Sequence, residues 1–162
     1  MVSNSIVLIS SLMSSHQPST LIYAGTFERV MDGKHRVTIP AAWLAQGVSE
    51  FHAVPHPSEE CLIVMPPHEF QSVEERIEQS GAPAAERRKA IRQFYSRARA
   101  ISADAQGRIL FAQDQCKVLD LQGEIVLVGG RSRFEVWNAA RWSAIAHQEH
   151  DSFLKVANLI GL

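Results

Sequence analysis

The chain has 162 residues, 46% of them hydrophobic and 20% charged, with a formal net charge of −1. That is enough for one domain, or two small intimate ones, with a buried core. The near-neutral balance excludes a surface that coats nucleic acid wholesale, though not a local basic patch, and no apolar stretch approaches the length of a membrane span.

Residues 1–22 differ from the rest of the chain. Ile6-Val7-Leu8-Ile9 is apolar, but no Lys or Arg precedes it and serines come after it, whereas a secretory signal needs a positive start and a longer apolar core. The segment reads as a disordered or loosely docked extension. From Gly25 the pattern turns strand-like: Thr26 to Val30 alternate, Asp32-Gly33 offers a turn, and Val37-Thr38-Ile39 resumes the strand. Pro40 predicts the first position of a short helix through Ala45, closed by Gly47. Phe51–Val54 and Cys61–Met65 are two further short strands, separated by Pro55 and Pro57.

After Pro66-Pro67 the period changes. Phe70, Val73 and Ile77 recur at helical spacing, with Glu74, Glu75 and Glu78 on the wet side. Gly81 and Pro83 end that helix, and a second runs from about Pro83 to Tyr95. Strand pattern then returns at Ala98–Ser102, a turn at Asp104, Arg108–Phe111, a short helical segment through Cys116, and strands at Glu124–Gly129 and Phe134–Trp137 joined by a Gly129-Gly130 turn. Asn138 is placed to cap a last helix containing Trp142 and Ile145, and Phe153–Leu162 is apolar enough to dock.

The second half repeats the first. Asp32-Gly33-Lys34-His35-Arg36-Val37 answers to Asp104-Ala105-Gln106-Gly107-Arg108-Ile109, and at the same offset Leu62–Met65 falls on Phe134–Trp137 and Phe70 on Trp142. This pattern implies two copies of one supersecondary unit. A unit of about 45 residues is too small to bury a good core alone, so the copies are expected to share one. Short strands leave edges that must be paired or covered, which favours self-association. The expected fold class is α+β, and a duplicated loop points to a binding protein more than to a single catalytic cleft.

In Asp-x-x-x-Arg at a hairpin, the Asp accepts backbone N–H bonds and tightens the turn. The Arg reaches back to that carboxylate, or out to a phosphate or guanine edge. For Asp104 and Arg108 a turn clamp suffices. Lys34, His35 and Arg36 put three donor-rich side chains on one turn beside a single Asp, more than a clamp needs, and this loop is the candidate nucleic-acid contact.

These elements resemble the MraZ family of bacterial transcriptional regulators, within the AbrB-like swapped-hairpin superfamily. The resemblance rests on Asp32–Pro40, Asp104–Phe111, Val126-Leu127-Val128-Gly129 with Phe134-Glu135-Val136-Trp137, and in the linking helix Glu86-Arg87-Arg88 and Gln93-Phe94-Tyr95. It spans roughly Tyr23 to Trp142. It implies two swapped-hairpin units with flanking helices, at residues 23–70 and 97–143, joined by a helical linker at 71–96 and followed by a C-terminal helix and tail at 144–162. It further implies rings of many subunits that bind tandem direct repeats of double-stranded DNA in the promoter of the division and cell-wall gene cluster. The DNA-contacting residues it implies are Lys34 and Arg36, with His35 on the same tip and Arg29 on the flanking strand. Asp32, Asp104, Gly107 and Arg108 shape the loops. One departure stands out: the family pattern has Gly just before the Arg, as at Gly107, where the first loop has His35. Either His35 adopts a positive φ at some cost or the turn is relaid around Gly33.

Cys61 and Cys116 sit in or beside apolar stretches and read as buried, reduced thiols, in keeping with a cytoplasmic, nucleoid-associated protein. Trp43, Trp137, Trp142, Phe70 and Phe134 fall at packing positions. The basic run Glu86–Arg99 reads as a solvated helix face or a source of ion pairs. No nucleophile elbow, phosphate loop or dinucleotide fingerprint occurs, so no enzyme and no cofactor are expected. Two alternatives remain: a metal-dependent hydrolase using His147 and His150, whose spacing of three departs from the known helix motif, and a ring-forming module whose loops bind protein.

Overall fold

The computed structural model describes residues 20–162, so the expectation for residues 1–19 lies outside the described part. Strands β1 (Thr26–Met31) and β2 (Arg36–Thr38) form the first hairpin, followed by helix α1 (Ala41–Leu44), β3 (Glu50–Pro55), β4 (Cys61–Met65) and α2 (Pro67–Glu78). Helix α3 (Ala84–Arg97) leads into the second series: β5 (Arg99–Ser102), β6 (Arg108–Leu110), α4 (Gln113–Val118), β7 (Gly123–Gly129), β8 (Phe134–Asn138) and α5 (Ala139–Ile160). The described residues are thus mixed α+β, with an antiparallel sheet and five helices.

The sheet interleaves the halves. Its six strands run β1-β7-β8-β4-β3-β5, and β2 pairs with β6 in a separate ribbon. Exchanging each strand for its repeat partner returns the same order reversed, the signature of an internal two-fold axis. The register agrees. Ile63 faces Glu135 at the centre of β4–β8, Val37 faces Ile109 in the ribbon, and Phe27 opposite Leu127 corresponds to Arg99 opposite Ala53.

Period-2 alternation divides the sheet into two faces. Inward residues such as Phe51, Leu62, Leu127 and Phe134 join the ribbon's Val37 and Ile109 in one core that draws on both halves. Phe134, fully buried, lies 4.8 Å from Trp43, 5.5 Å from Tyr23 and 5.7 Å from Phe51 by ring centroid. On the outer face, Val54, Ile63 and Met65 pack against Phe70 of α2 and Phe94 of α3, and Cys61, Val126 and Trp137 lie beneath the start of α5. Both cysteines are free and buried. Burial pushes both thiols up, that of Cys116 to about 11.

Equivalent positions carry different side chains to the same task. Trp43 Nε1 donates to the Ala24 carbonyl, two residues before β1. Gln115, at the matching position, donates from Nε2 to the Arg97 carbonyl, two residues before β5, and to Ala53. Gly129 is needed for close approach: a Cβ there would lie 2.5 Å from the Tyr23 carbonyl oxygen.

Three element boundaries depart from the sequence reading. Pro40 is the N-cap of α1, not its first residue, and its carbonyl accepts from Trp43 and Leu44. α3 continues past Tyr95 to Arg97. α5 is one 22-residue helix, so the apolar Phe153–Ile160 stretch is helix rather than tail. Asn138 Oδ1 starts it by accepting from Ala140 and Arg141 N–H at 2.9 and 3.2 Å, and no Gly or Pro interrupts it before Gly161, at φ 74°.

Truncating the shared aromatic centre leaves a large cavity. Phe134→Ala is expected to lower unfolding free energy by about 3–5 kcal/mol, read as a shift of the urea midpoint.

Candidate nucleic-acid interface

The two turns share one geometry. In the first, Asp32 Oδ1 accepts the N–H groups of Lys34 and Arg36, each at 2.9 Å, and Oδ2 accepts Arg36 Nε at 2.7 Å. In the second, Asp104 Oδ1 accepts Gln106 and Arg108 N–H at 2.9 Å and Oδ2 accepts Arg108 Nε at 3.0 Å. Backbone bonds close both loops: His35 N–H to the Asp32 carbonyl at 3.0 Å, Gly107 N–H to Asp104 at 2.9 Å. The Arg36 N–H, its guanidinium and the Lys34 N–H hold the Asp32 carboxyl below the usual carboxylate range. The Arg108 N–H, the Gln106 N–H and the Arg108 guanidinium do the same at Asp104.

The turns also bond across the internal axis. Phe111 N–H donates to the His35 carbonyl and Ile39 N–H to the Gly107 carbonyl, both at 2.9 Å, a reciprocal pair about the internal axis. These bonds flank the β2–β6 ribbon and tie each turn to the far end of the other half's strand, so the two tips lie at opposite ends of the ribbon. Sequence reading missed this lock. Its signal was available: turns of equal length, with a β-branched residue directly after each clamping arginine, Val37 and Ile109, that meets its own repeat.

His35 resolves the choice left open by the sequence. It lies at φ 62°, matching Gly107 at φ 74°, and Gly33 has no positive φ. The turn is therefore not relaid around Gly33; the histidine occupies the left-handed region that glycine fills in the other copy.

What differs between the tips is charge. Lys34 is exposed and its ammonium has no partner among the described residues. Arg36, a third exposed, uses Nε on Asp32 and leaves both terminal nitrogens without a partner among the described residues. The second tip offers Ala105 and Gln106 in place of Gly33 and Lys34. Arg29 lies apart from the tip: Nε donates to the Thr38 carbonyl at 3.1 Å and Nη1 to the Glu28 carbonyl at 2.9 Å, with the guanidinium carbon 5.4 Å from the Phe27 ring centroid. Its side chain staples β1 to the end of β2.

The other candidates sit elsewhere. His147 and His150 are exposed on α5, and among the described residues no group of three ligand-bearing side chains contains either; the group present is Glu59, Cys61 and Glu135. In the basic helix, Arg87 pairs with Glu78 at 3.3 Å, Lys89 with Glu86 at 3.0 Å, and beyond its end Arg99 with Asp114 at 2.6 Å. No described helix is long and apolar enough to cross a membrane.

A repeated acid-clamped hairpin on an interleaved α+β sheet defines the class of protein. The family model described as "MraZ protein, putative antitoxin-like" matches twice, over residues 22–92 and 94–161, and the chain belongs to that family. It is 31% identical to the "Transcriptional regulator MraZ" of Symbiobacterium thermophilum, covering 85% of this chain and 99% of that one. It is 34% identical to the protein of that name from Pediococcus pentosaceus, over 86% and 97%. With that of Acidithiobacillus ferrooxidans it shares 36% identity, over 76% and 87%.

The left-handed residue makes one stability prediction. His35→Val puts a β-branched side chain at positive φ and is expected to cost about 1–2 kcal/mol, seen as a lower thermal midpoint, whereas His35→Gly matches or exceeds the parent. The carboxylates make another. Folding depresses both pKa values, so their contribution is complete above the ordinary carboxylate value of about 4 and is lost as pH falls through the lower folded values. Chemical denaturation from pH 7 to pH 2 should show stability falling below about pH 4. In Asp32→Asn/Asp104→Asn that fall flattens and stability at pH 7 drops, with residual slope from Asp114, which the Arg99 guanidinium holds down.

Proposed function

We propose that this protein regulates transcription by binding tandem direct repeats of double-stranded DNA as an oligomeric ring, at the promoter of the bacterial division and cell-wall gene cluster. One observation carries the reading: the same scaffold occurs twice, and only the first tip carries an exposed lysine between the clamping Asp32 and Arg36. Lys34 and Arg36 contact DNA, and His35 shapes and borders the contact. Arg29 acts as a support for the hairpin, since its guanidinium is taken up by backbone carbonyls. Asp32, Asp104, Gly107 and Arg108 hold loop shape. The shared name of the relatives supports regulation of transcription, and such work belongs in the cytoplasm, at the nucleoid.

The strand exchange supports the swapped-hairpin description: hairpin β1–β2 pairs with β7 and β6 of the other half, and β5–β6 with β3 and β2. We accordingly read residues 23–70 and 97–143 as the two units, 71–96 as their linker and 144–162 as the closing segment. A tip with two cations makes few phosphate contacts, so one subunit alone binds in the non-specific range, a Kd of roughly 10⁻⁴ to 10⁻⁶ M. A ring offering identical tips to evenly spaced repeats gains on the order of 10²–10⁴ without new contacts, and subunit spacing then reads repeat spacing.

Gel shifts on the chain's own upstream region, with scrambled repeats as control, test this. Arg36→Ala is expected to abolish repeat-specific binding with particle mass unchanged, because Asp32 keeps its two backbone partners. Lys34→Ala, which touches no clamp, weakens binding to all sequences and lowers the salt slope by about one per engaged tip. Undiminished repeat binding by Arg36→Ala overturns the site.

A further inference from the structure

One departure from the internal symmetry concerns whole helices. α2 and α5 occupy matching positions after β4 and β8, each on the outer face of the sheet. The chain turns back after α2, and α3 covers it: Phe94 stacks on Phe70 at 4.9 Å and Tyr95 meets the same ring at 5.1 Å. Among the described residues α5 has no such cover. Its first turns lie on the sheet through Ala139, Trp142 and Ile145. From His147 onward every residue but Ala157 is exposed. The apolar stripe nevertheless continues at helical spacing through Phe153, Val156 and Ile160, 55%, 55% and 71% exposed, with Leu159 at 84%. A free helical arm of this length is marginal in water without packing on an apolar face, and this one bears an uncovered stripe.

The same chain carries a matching cleft. Where α2 and α3 diverge from β3 and β4, a groove of about 440 Å³ is lined by Val54, Ile63, Val73, Ile77 and Phe94. Arg97 and Arg133 stand on its rim, and neither guanidinium has a partner among the described residues. The arm brings Glu149 on its stripe and Asp151 beside it, against one lysine, Lys155, and ends in the negative pole of a helix dipole. Apolar meets apolar, and acid meets arginine.

We infer that residues 149–160 of α5 dock into the α2–α3 groove of a second copy of this chain, supplying there the cover that α5 lacks at home. The contact is heterologous, arm to groove, and such contacts repeated by rotation close into rings. It therefore specifies how the proposed ring is joined and rests on that reading.

Cross-linking with a short bis-maleimide tests it in the full-length chain, where buried Cys61 and Cys116 stay silent. Val156→Cys/Ile77→Cys is expected to give a ladder of covalent multimers, a mixture of the two single variants a dimer, and either single variant alone none. A homodimer from Val156→Cys alone means that arm meets arm and overturns the proposal, as does an intramolecular link that consumes both thiols without change of mass. Scattering separates the remaining cases: a multimer without arm-to-groove links refutes this contact and leaves the ring standing, whereas a monomer refutes both. Val156→Asp/Ile160→Asp, which alters only exposed positions, is expected to weaken self-association about a hundredfold or more. Unchanged particle mass at sub-micromolar concentration would count against the arm.

Discussion

The backbone of β1 finds its sheet partner in the other half of the chain. β1 bonds to β7, β5 to β3, and β2 to β6. An unpaired strand inside a small domain costs its ladder of hydrogen bonds, and a short unit exposes too much apolar surface to stand alone. Pairing β1, β2 and β5 with strands of the other half meets both demands at once. The common core and the outer faces that receive the helices result from that exchange.

The clamped turns belong to the same constraint. A hairpin that leaves its own half must arrive in register, and a slip of one residue would turn every core side chain outward. Asp32 and Asp104 restrict the available motions by collecting two N–H groups and a guanidinium each. The reciprocal bonds from Phe111 to His35 and from Ile39 to Gly107 then tie each tip to the strand end of the other half. The left-handed backbone of His35 is tolerated here, in a loop held from several sides, which is where such strain survives. The reading of the tip as a DNA contact gains from this rigidity, since a preorganised cation loses less freedom on binding.

Duplication also frees one copy to diverge. Trp43 and Gln115 do the same stapling by different chemistry. Lys34 stands where the second copy has Gln106, and α3 packs on α2 whereas no described helix packs on α5. Lys34 departs on the surface, whereas Trp43 and Gln115 are both buried. The buried positions along the axis, Val37 with Ile109 and Leu62 with Val136, stay apolar because close packing there tolerates little else.

Much was legible in the chain itself. The repeat, the alternation of strands and helices, the capping Asn138 and the acid-to-arginine turns are local patterns, and local patterns survive in sequence because backbone sterics and short-range hydrogen bonds set them. Element ends were read less well: Pro40 at a cap rather than inside its helix, and α5 running on through a stretch that looked like tail, depend on which carbonyls are free and on where the chain next turns. The tertiary structure alone decided which strands are neighbours, that each tip is bonded to a strand end of the other half, that Arg29 donates to the Thr38 carbonyl, and that α5 overhangs its sheet. These are contacts between distant residues, and their choice among competing pairings is made by burial and backbone hydrogen bonding across the assembled sheet, which no local stretch of sequence records.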